Sequence, residues 1–117
     1  MLTLPSSVKV YLAAGVTDMR KSFDTLFGLA RDALAMDPLS GHLFVFCNRG
    51  RNRIKVLHWD GSGLWIHAKR LEKGTFSWPD PGRVACVELR ATDLAMLVGG
   101  IDLVRSRARD WYSHLPV

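Results

Sequence analysis

Cysteine is scarce in this chain: there are two, Cys47 and Cys86. Each lies in an apolar run (FVFCN and VACVE), with no second thiol or histidine at the short spacing that a zinc site needs. Both are expected to be buried, reduced and chemically inert, and no metal is assigned to them. The histidines, His42, His58, His67 and His114, are scattered without HExxH-type spacing, and no GxSxG, phosphate loop or GxGxxG occurs. These absences leave no named cofactor to expect. An Mg²⁺-dependent nuclease or strand-transfer enzyme would need carboxylates gathered around two ions. The sequence does not group Asp18, Asp24, Asp60, Glu72, Glu88, Asp93 and Asp102, several of which turns and helix caps already explain, so no catalytic residue is assigned and the chain is read as a non-enzyme. No apolar run approaches the roughly 20 residues that cross a bilayer. The N-terminal MLTLPSSVKVYLAAG lacks the basic start and longer apolar core of a secretion signal. A cytoplasmic protein without membrane contact is the expectation.

What is present is ordinary globular material with a basic bias. Apolar residues make up 48% and charged residues 23% of 117 residues, enough apolar surface to offset chain entropy in one domain. That domain is expected over residues 1–102, followed by a basic C-terminal helix or tail at 103–117 carrying Arg105, Arg107 and Arg109. Sixteen Lys+Arg against eleven Asp+Glu give a net charge of +5. Such a balance suits a polyanion, most often nucleic acid, and the distribution of the charge must decide.

Along the chain, Val8 to Leu12 reads as a short strand and Ala14-Gly15 as a turn. Thr17 or Asp18 then caps a helix. Phe23, Leu26, Phe27, Ala30 and Leu34 recur at helical spacing, and Asp37-Pro38 ends the helix. The period next changes to that of strands: His42 to Cys47, Arg53 to Trp59, Leu64 to Lys69, Thr75 to Trp78 and Val84 to Leu89. Thr92 caps a last helical segment whose Leu94, Leu97, Val98 and Ile101 share a face, with Gly99-Gly100 weakening it. The pattern predicts an α+β fold, an antiparallel β meander with helices packed on one face, and one core holding Phe23, Leu26, Phe27, Ile54, Val56 and Ile66. Alternation puts Ile54 and Val56 with Leu64, Ile66 and Ala68 beneath the helices. It turns Arg53, Lys55, Leu57 and Trp59, with Trp65, His67 and Lys69, the other way.

The sharpest local feature is the hairpin from Asn48 to Lys55, where Arg49, Arg51, Arg53 and Lys55 alternate without an intervening acid. Guanidinium groups at a hairpin tip can straddle phosphates, and Trp59, Trp65 and His67 on the adjoining face could stack on bases. Lys69, Arg70 and Lys73 extend this candidate nucleic-acid surface. Arg20 and Lys21, at the start of the first helix, are further candidate contacts. The rival reading is a module that docks on a protein through exposed apolar groups such as Trp59, Trp65 and Trp78.

The segments TDMRKSFDTL (Thr17 to Leu26), SGHLFVF (Ser40 to Phe46), RNRIKVLHWDGSGLWIHAKRLEKGTFSWP (Arg51 to Pro79) and LAMLVGGID (Leu94 to Asp102) occur in that order. Together they resemble the TnpB-type accessory proteins, products of the second open reading frame, of the bacterial insertion-sequence family numbered sixty-six. The resemblance implies a protein that accompanies a separate, larger transposase and helps the element to move. DNA at the element ends and the transposase are then the expected partners.

Overall fold

The computed structural model describes residues 7–80, 82 and 84–98. Five strands form the sheet: β1 (Val10–Ala13), β2 (Leu43–Cys47), β3 (Arg53–Trp59), β4 (Leu64–Arg70) and β5 (Cys86–Leu89). Their spatial order is β4-β3-β2-β1-β5. Strands β2, β3 and β4 are the expected meander, antiparallel neighbours joined by tight loops. Strand β1 departs from it, pairing parallel with β2 and antiparallel with β5. A parallel pair needs a crossover of a dozen or more residues, and the first helix supplies it.

That helix, α1 (Phe23–Gly28), continues as a π-helical segment over Leu29–Ala33. It begins later than the capping expectation because Asp18 is occupied elsewhere. Its carboxylate accepts the Arg20 N–H at 2.9 Å and pairs with the Arg20 guanidinium at 2.7 Å, a local turn that competes with helix entry. Ser22 stands at the N-cap without a side-chain cap bond. The helix also stops before Asp37-Pro38, with Ala35 in the left-handed region at φ 56°. Of the predicted stripe, Leu26, Ala30 and Leu34 are buried and Phe27 is half-buried, but Phe23 is 45% exposed. Phe23 therefore lies outside the core.

The helices do not share a face. Leu26, Ala30 and Leu34 pack with Ala13, Phe44, Phe46 and Leu57 on one side of the sheet. The second helix, α2 (Ala91–Val98), places Leu94 and Leu97 with Val10, Leu12, Val45, Ile54, Val56 and Val87 on the other. Strand β2, buried at every residue between them, explains the continuous apolar run LFVFC. A strand covered on both faces cannot alternate polar and apolar residues. Helix α2 opens with the Leu94 N–H donating to the Arg90 carbonyl at 3.1 Å, so Thr92 falls inside the helix and does not cap it.

No strand forms at Thr75 to Trp78. Phe76 and Trp78 instead insert into the α2-side core, and the Trp78 indole donates to the Ala13 carbonyl at 2.9 Å. The second strand-phase expectation also changes. The β3–β4 loop closes with Asp60 N–H donating to Gly63 C=O at 3.1 Å, so Trp59 pairs with Leu64, Leu57 with Ile66 and Val56 with His67. Parity flips across so tight a loop, because turn geometry sets the register. Ile54, Val56 and His58 thus share a face with Trp65, His67 and Lys69, the α2 side. Arg53, Lys55, Leu57 and Trp59 share the α1 side with Leu64, Ile66, Ala68 and Arg70. Alternation groups His58 with Ile54 and Val56 and turns His67 the other way; the pairing puts both on the same face. Residues 103–117, with the expected basic tail, and the Gly99-Gly100 break lie outside the described residues.

Candidate nucleic-acid interface

The β2–β3 hairpin is built around Asn48. Its side-chain oxygen accepts the N–H groups of Asn52 (3.1 Å) and Arg53 (3.0 Å), and its amide donates to the Asn52 side-chain oxygen at 2.8 Å. The left-handed position of the loop falls on Arg51, φ 59°, and not on Gly50. Arg51 is held there by two contacts: its guanidinium donates to the Trp78 carbonyl at 2.7 Å and to the Asp80 carboxylate at 2.8 Å. Its own carbonyl accepts the Phe76 N–H at 2.6 Å. Arg51 therefore latches the segment carrying Phe76 and Trp78 to the hairpin, and its charge is not offered to solvent in the way that the alternating pattern suggests.

The other sequence-predicted cations divide by what they touch. Lys55 reaches across to α1's entry, its ammonium donating to the Lys21 carbonyl at 2.8 Å. Lys69 lies on the opposite face and donates to the Val98 carbonyl at 2.7 Å, at the C-terminal end of α2, where a cation complements the helix dipole. Arg20 pairs with Asp18, which that guanidinium holds well below the usual carboxylate range. Arg49 and Lys73 are exposed at the hairpin tip and at the turn after β4. Those two loops are neighbours, since Leu71 N–H donates to the Asn52 carbonyl at 2.8 Å.

Arg53 and Arg70 are directly opposite each other on the α1 side, both exposed. Like charges facing across strands are unfavourable. Arg70 is relieved by Glu72 at 3.1 Å, and the Arg53 guanidinium has no hydrogen bond or ion pair among the described residues. A shallow depression of about 480 Å³ opens beside them, lined by Met19, Arg53, Lys55, Lys69, Arg70 and Glu72. On the α1 side Arg53, Lys55 and Arg70 stand there with one carboxylate, while the Lys69 ammonium is held on the other face by Val98. Chemically the depression can take an anion between two guanidinium forks, with Lys55 fixing the Met19–Lys21 rim beside it.

The basic-aromatic face expected from alternation is not formed. Trp59 is half-buried on the α1 side, Trp78 is in the core, and Trp65 alone among the three is exposed, at 54%. Its indole is fixed by donation to Asp60 at 2.7 Å and by a ring contact with His67, centroids 5.9 Å apart. Asp60 also accepts the Ser62 and Gly63 N–H groups, at 2.8 and 2.9 Å, and these bonds, that of Trp65 first, hold its carboxyl well below the ordinary range. Partial burial lowers the His67 pKa, with the charge of His58 adding to it. Cys47 is fully buried, and burial pushes its thiol up to about 11; the half-buried Cys86 is raised for the same reason. Sequence reasoning gave Asn48, Asp60 and Glu72 no part in this surface, although the first two stand where Asn and Asp ordinarily anchor turns.

A basic α+β protein whose described residues form a five-stranded sheet with an open cationic end is the class that this fold defines. The chain belongs to the IS66 Orf2-like (TnpB) family, whose model matches residues 8–108. That family implies an insertion-element accessory protein. Two proteins of Sinorhizobium fredii (strain NBRC 101917 / NGR234) are similar over 102 residues: the uncharacterized protein y4hO, 37% identical over 87% of this chain and 88% of its own, and the uncharacterized protein y4jC, 30% identical over 87% and 86%. No solved structure matches the chain significantly. No helix among the described residues is long and apolar enough to cross a membrane.

Proposed function

We propose that this protein assists transposition in the cytoplasm by binding the DNA of the element ends through the cationic end of its sheet, in concert with the element's transposase. The observation that carries this reading is the cross-strand pair Arg53–Arg70 above an open depression, flanked by the free tips at Arg49 and Lys73. An unfavourable pairing of like charges becomes favourable once a phosphate bridges it, and guanidinium forks suit phosphate oxygens. The depression is shallow and no element among the described residues projects from it, which suits contact with the backbone more than base reading. Lys55, Lys69, Arg20 and Lys21 shape or flank the surface, whereas Arg51 supports it from within.

The test is titration of the purified protein against element-end and unrelated DNA at several salt concentrations. Contacts from Arg49, Arg53, Arg70 and Lys73 give a slope of log K against log salt of roughly −3 to −4 on duplex. Arg53→Ala with Arg70→Ala flattens it by about two units. A wild-type protein without DNA affinity at low salt refutes the proposal, and capture of the transposase by that same protein replaces it with docking on the transposase.

A further inference from the structure

Strand β4 ends the sheet, and among the described residues no strand meets its outer edge. The hydrogen-bond phase of that edge follows from the two ends of the β3–β4 ladder. Asp60 N–H donates to Gly63 at one end and Leu71 N–H to Asn52 at the other. In an antiparallel ladder, bonded pairs alternate with non-bonded ones. The bonded pairs between those ends are therefore His58 with Trp65, Val56 with His67 and Ile54 with Lys69. Trp65, His67 and Lys69 spend their backbone groups on β3, while Leu64, Ile66, Ala68 and Arg70 direct theirs outward.

Natural sheets guard such an edge with charge, proline or a bulge. From Leu64 to Ala68 there is no Lys, Arg, Asp, Glu or Pro. The strand is also complementary to itself in one antiparallel register. With Ile66 opposite Ala68 of a second copy, Leu64 faces the second copy's Arg70 and Trp65 faces the second copy's Lys69, with His67 on the two-fold axis. Every outward residue then has a partner, no Lys or Arg faces another, and the exposed indole of Trp65 gains a cation across the pair. A slide that brings Lys69 onto the axis sets like charges against each other.

We infer that β4 is a self-association edge through which two copies of this chain pair antiparallel, continuing the sheet from one copy into the other. The pairing uses backbone groups and the α2-side row of β4, and does not depend on the nucleic-acid reading. An edge of this length buries less than a standard interface, so association is expected at roughly micromolar concentration or above.

Sedimentation of the DNA-free protein over a hundredfold concentration range (roughly, up to high micromolar) tests it. Wild type should pass from monomer to dimer. Ala68→Pro removes an outward N–H without touching the β3 ladder, a change that edge strands tolerate, and should remain monomeric at every concentration. Residue-resolved amide exchange on wild type provides a readout free of any folding defect in that variant. Ile66, Ala68 and Arg70 should become protected as concentration rises, whereas Trp65, His67 and Lys69 are protected throughout. A wild type that stays monomeric, a dimer that survives Ala68→Pro, or a dimer without new protection at Ile66 and Ala68 would each overturn the inference.

Discussion

Replacing Arg51 separates the two roles that its position in an arginine-rich hairpin confuses. The guanidinium donates to the Trp78 carbonyl at 2.7 Å and to Asp80 at 2.8 Å, and the side chain is 38% exposed. A charge-assisted bond to a carbonyl contributes about 1.5–3 kcal/mol, and partial exposure places this one near the lower end. The pair with Asp80, itself 84% exposed, adds less than about 1 kcal/mol. Arg51→Ala should therefore destabilise by about 2 kcal/mol, a fall in melting temperature of roughly 6–12 °C for a chain of this size. Arg51→Gly loses the same contacts but relieves the left-handed backbone, and should stand about 1 kcal/mol above Arg51→Ala. Arg49→Ala should leave the melt unchanged. Thermal and urea denaturation of the three variants decide the matter, and salt-dependent DNA titration supplies the complement. Arg51→Ala should keep the wild-type salt slope, and Arg49→Ala should flatten it by about one unit. An Arg51→Ala protein that melts with wild type would refute the latch, and one whose salt slope flattens would return Arg51 to the phosphate contacts.

Two further expectations concern the core. Leu26→Ala should cost about 2–5 kcal/mol, because Leu26 is fully buried between α1 and the sheet, whereas Phe23→Ala should cost less than about 1 kcal/mol; equal melts for the two would contradict the placement of Phe23 outside the core. Cys47 titrates near 11 in the folded protein against 9.0 ordinarily, so the unfolded chain loses its proton first; the stability linked to this thiol is complete below pH 9 and falls as pH rises towards 11. Cys47→Ala should lose that part of the alkaline decline in urea-unfolding free energy, and an identical decline in both proteins would count against a buried, protonated thiol.

Much of this architecture is legible along the chain because its signals are local. Leu43–Cys47, Arg53–Trp59 and Leu64–Arg70 are strands within a residue of their predicted bounds, and Leu26, Ala30 and Leu34 keep helical period. Where β-rich composition misled, at Thr75 to Trp78, the hairpin loop holds the segment through Arg51 and the core takes its rings, so no ladder forms. The arginines of the hairpin were legible as a cluster, but not as separate roles. A contact between Arg51 and Asp80, distant in sequence, leaves no local trace, and neither does the Lys55 bond to Lys21.

Sequence by itself determined what each stretch could become: the basic balance, the absence of metal and nucleotide motifs, the strand and helix periods, and the family resemblance carried by ordered segments. Tertiary structure alone decided which residues face which. The loop Asp60–Gly63 closes with a register that flips parity between β3 and β4, and this sets Arg53 against Arg70 and moves Trp65, His67 and Lys69 to the opposite face. The crossover from β1 to β2 and the return of β5 bury the sheet on both sides and divide one expected core into two. The physical reason is the two-residue period of a strand. Each turn passes that period on with a phase fixed by its own hydrogen bonds, and one residue of phase is enough to exchange the faces of a sheet.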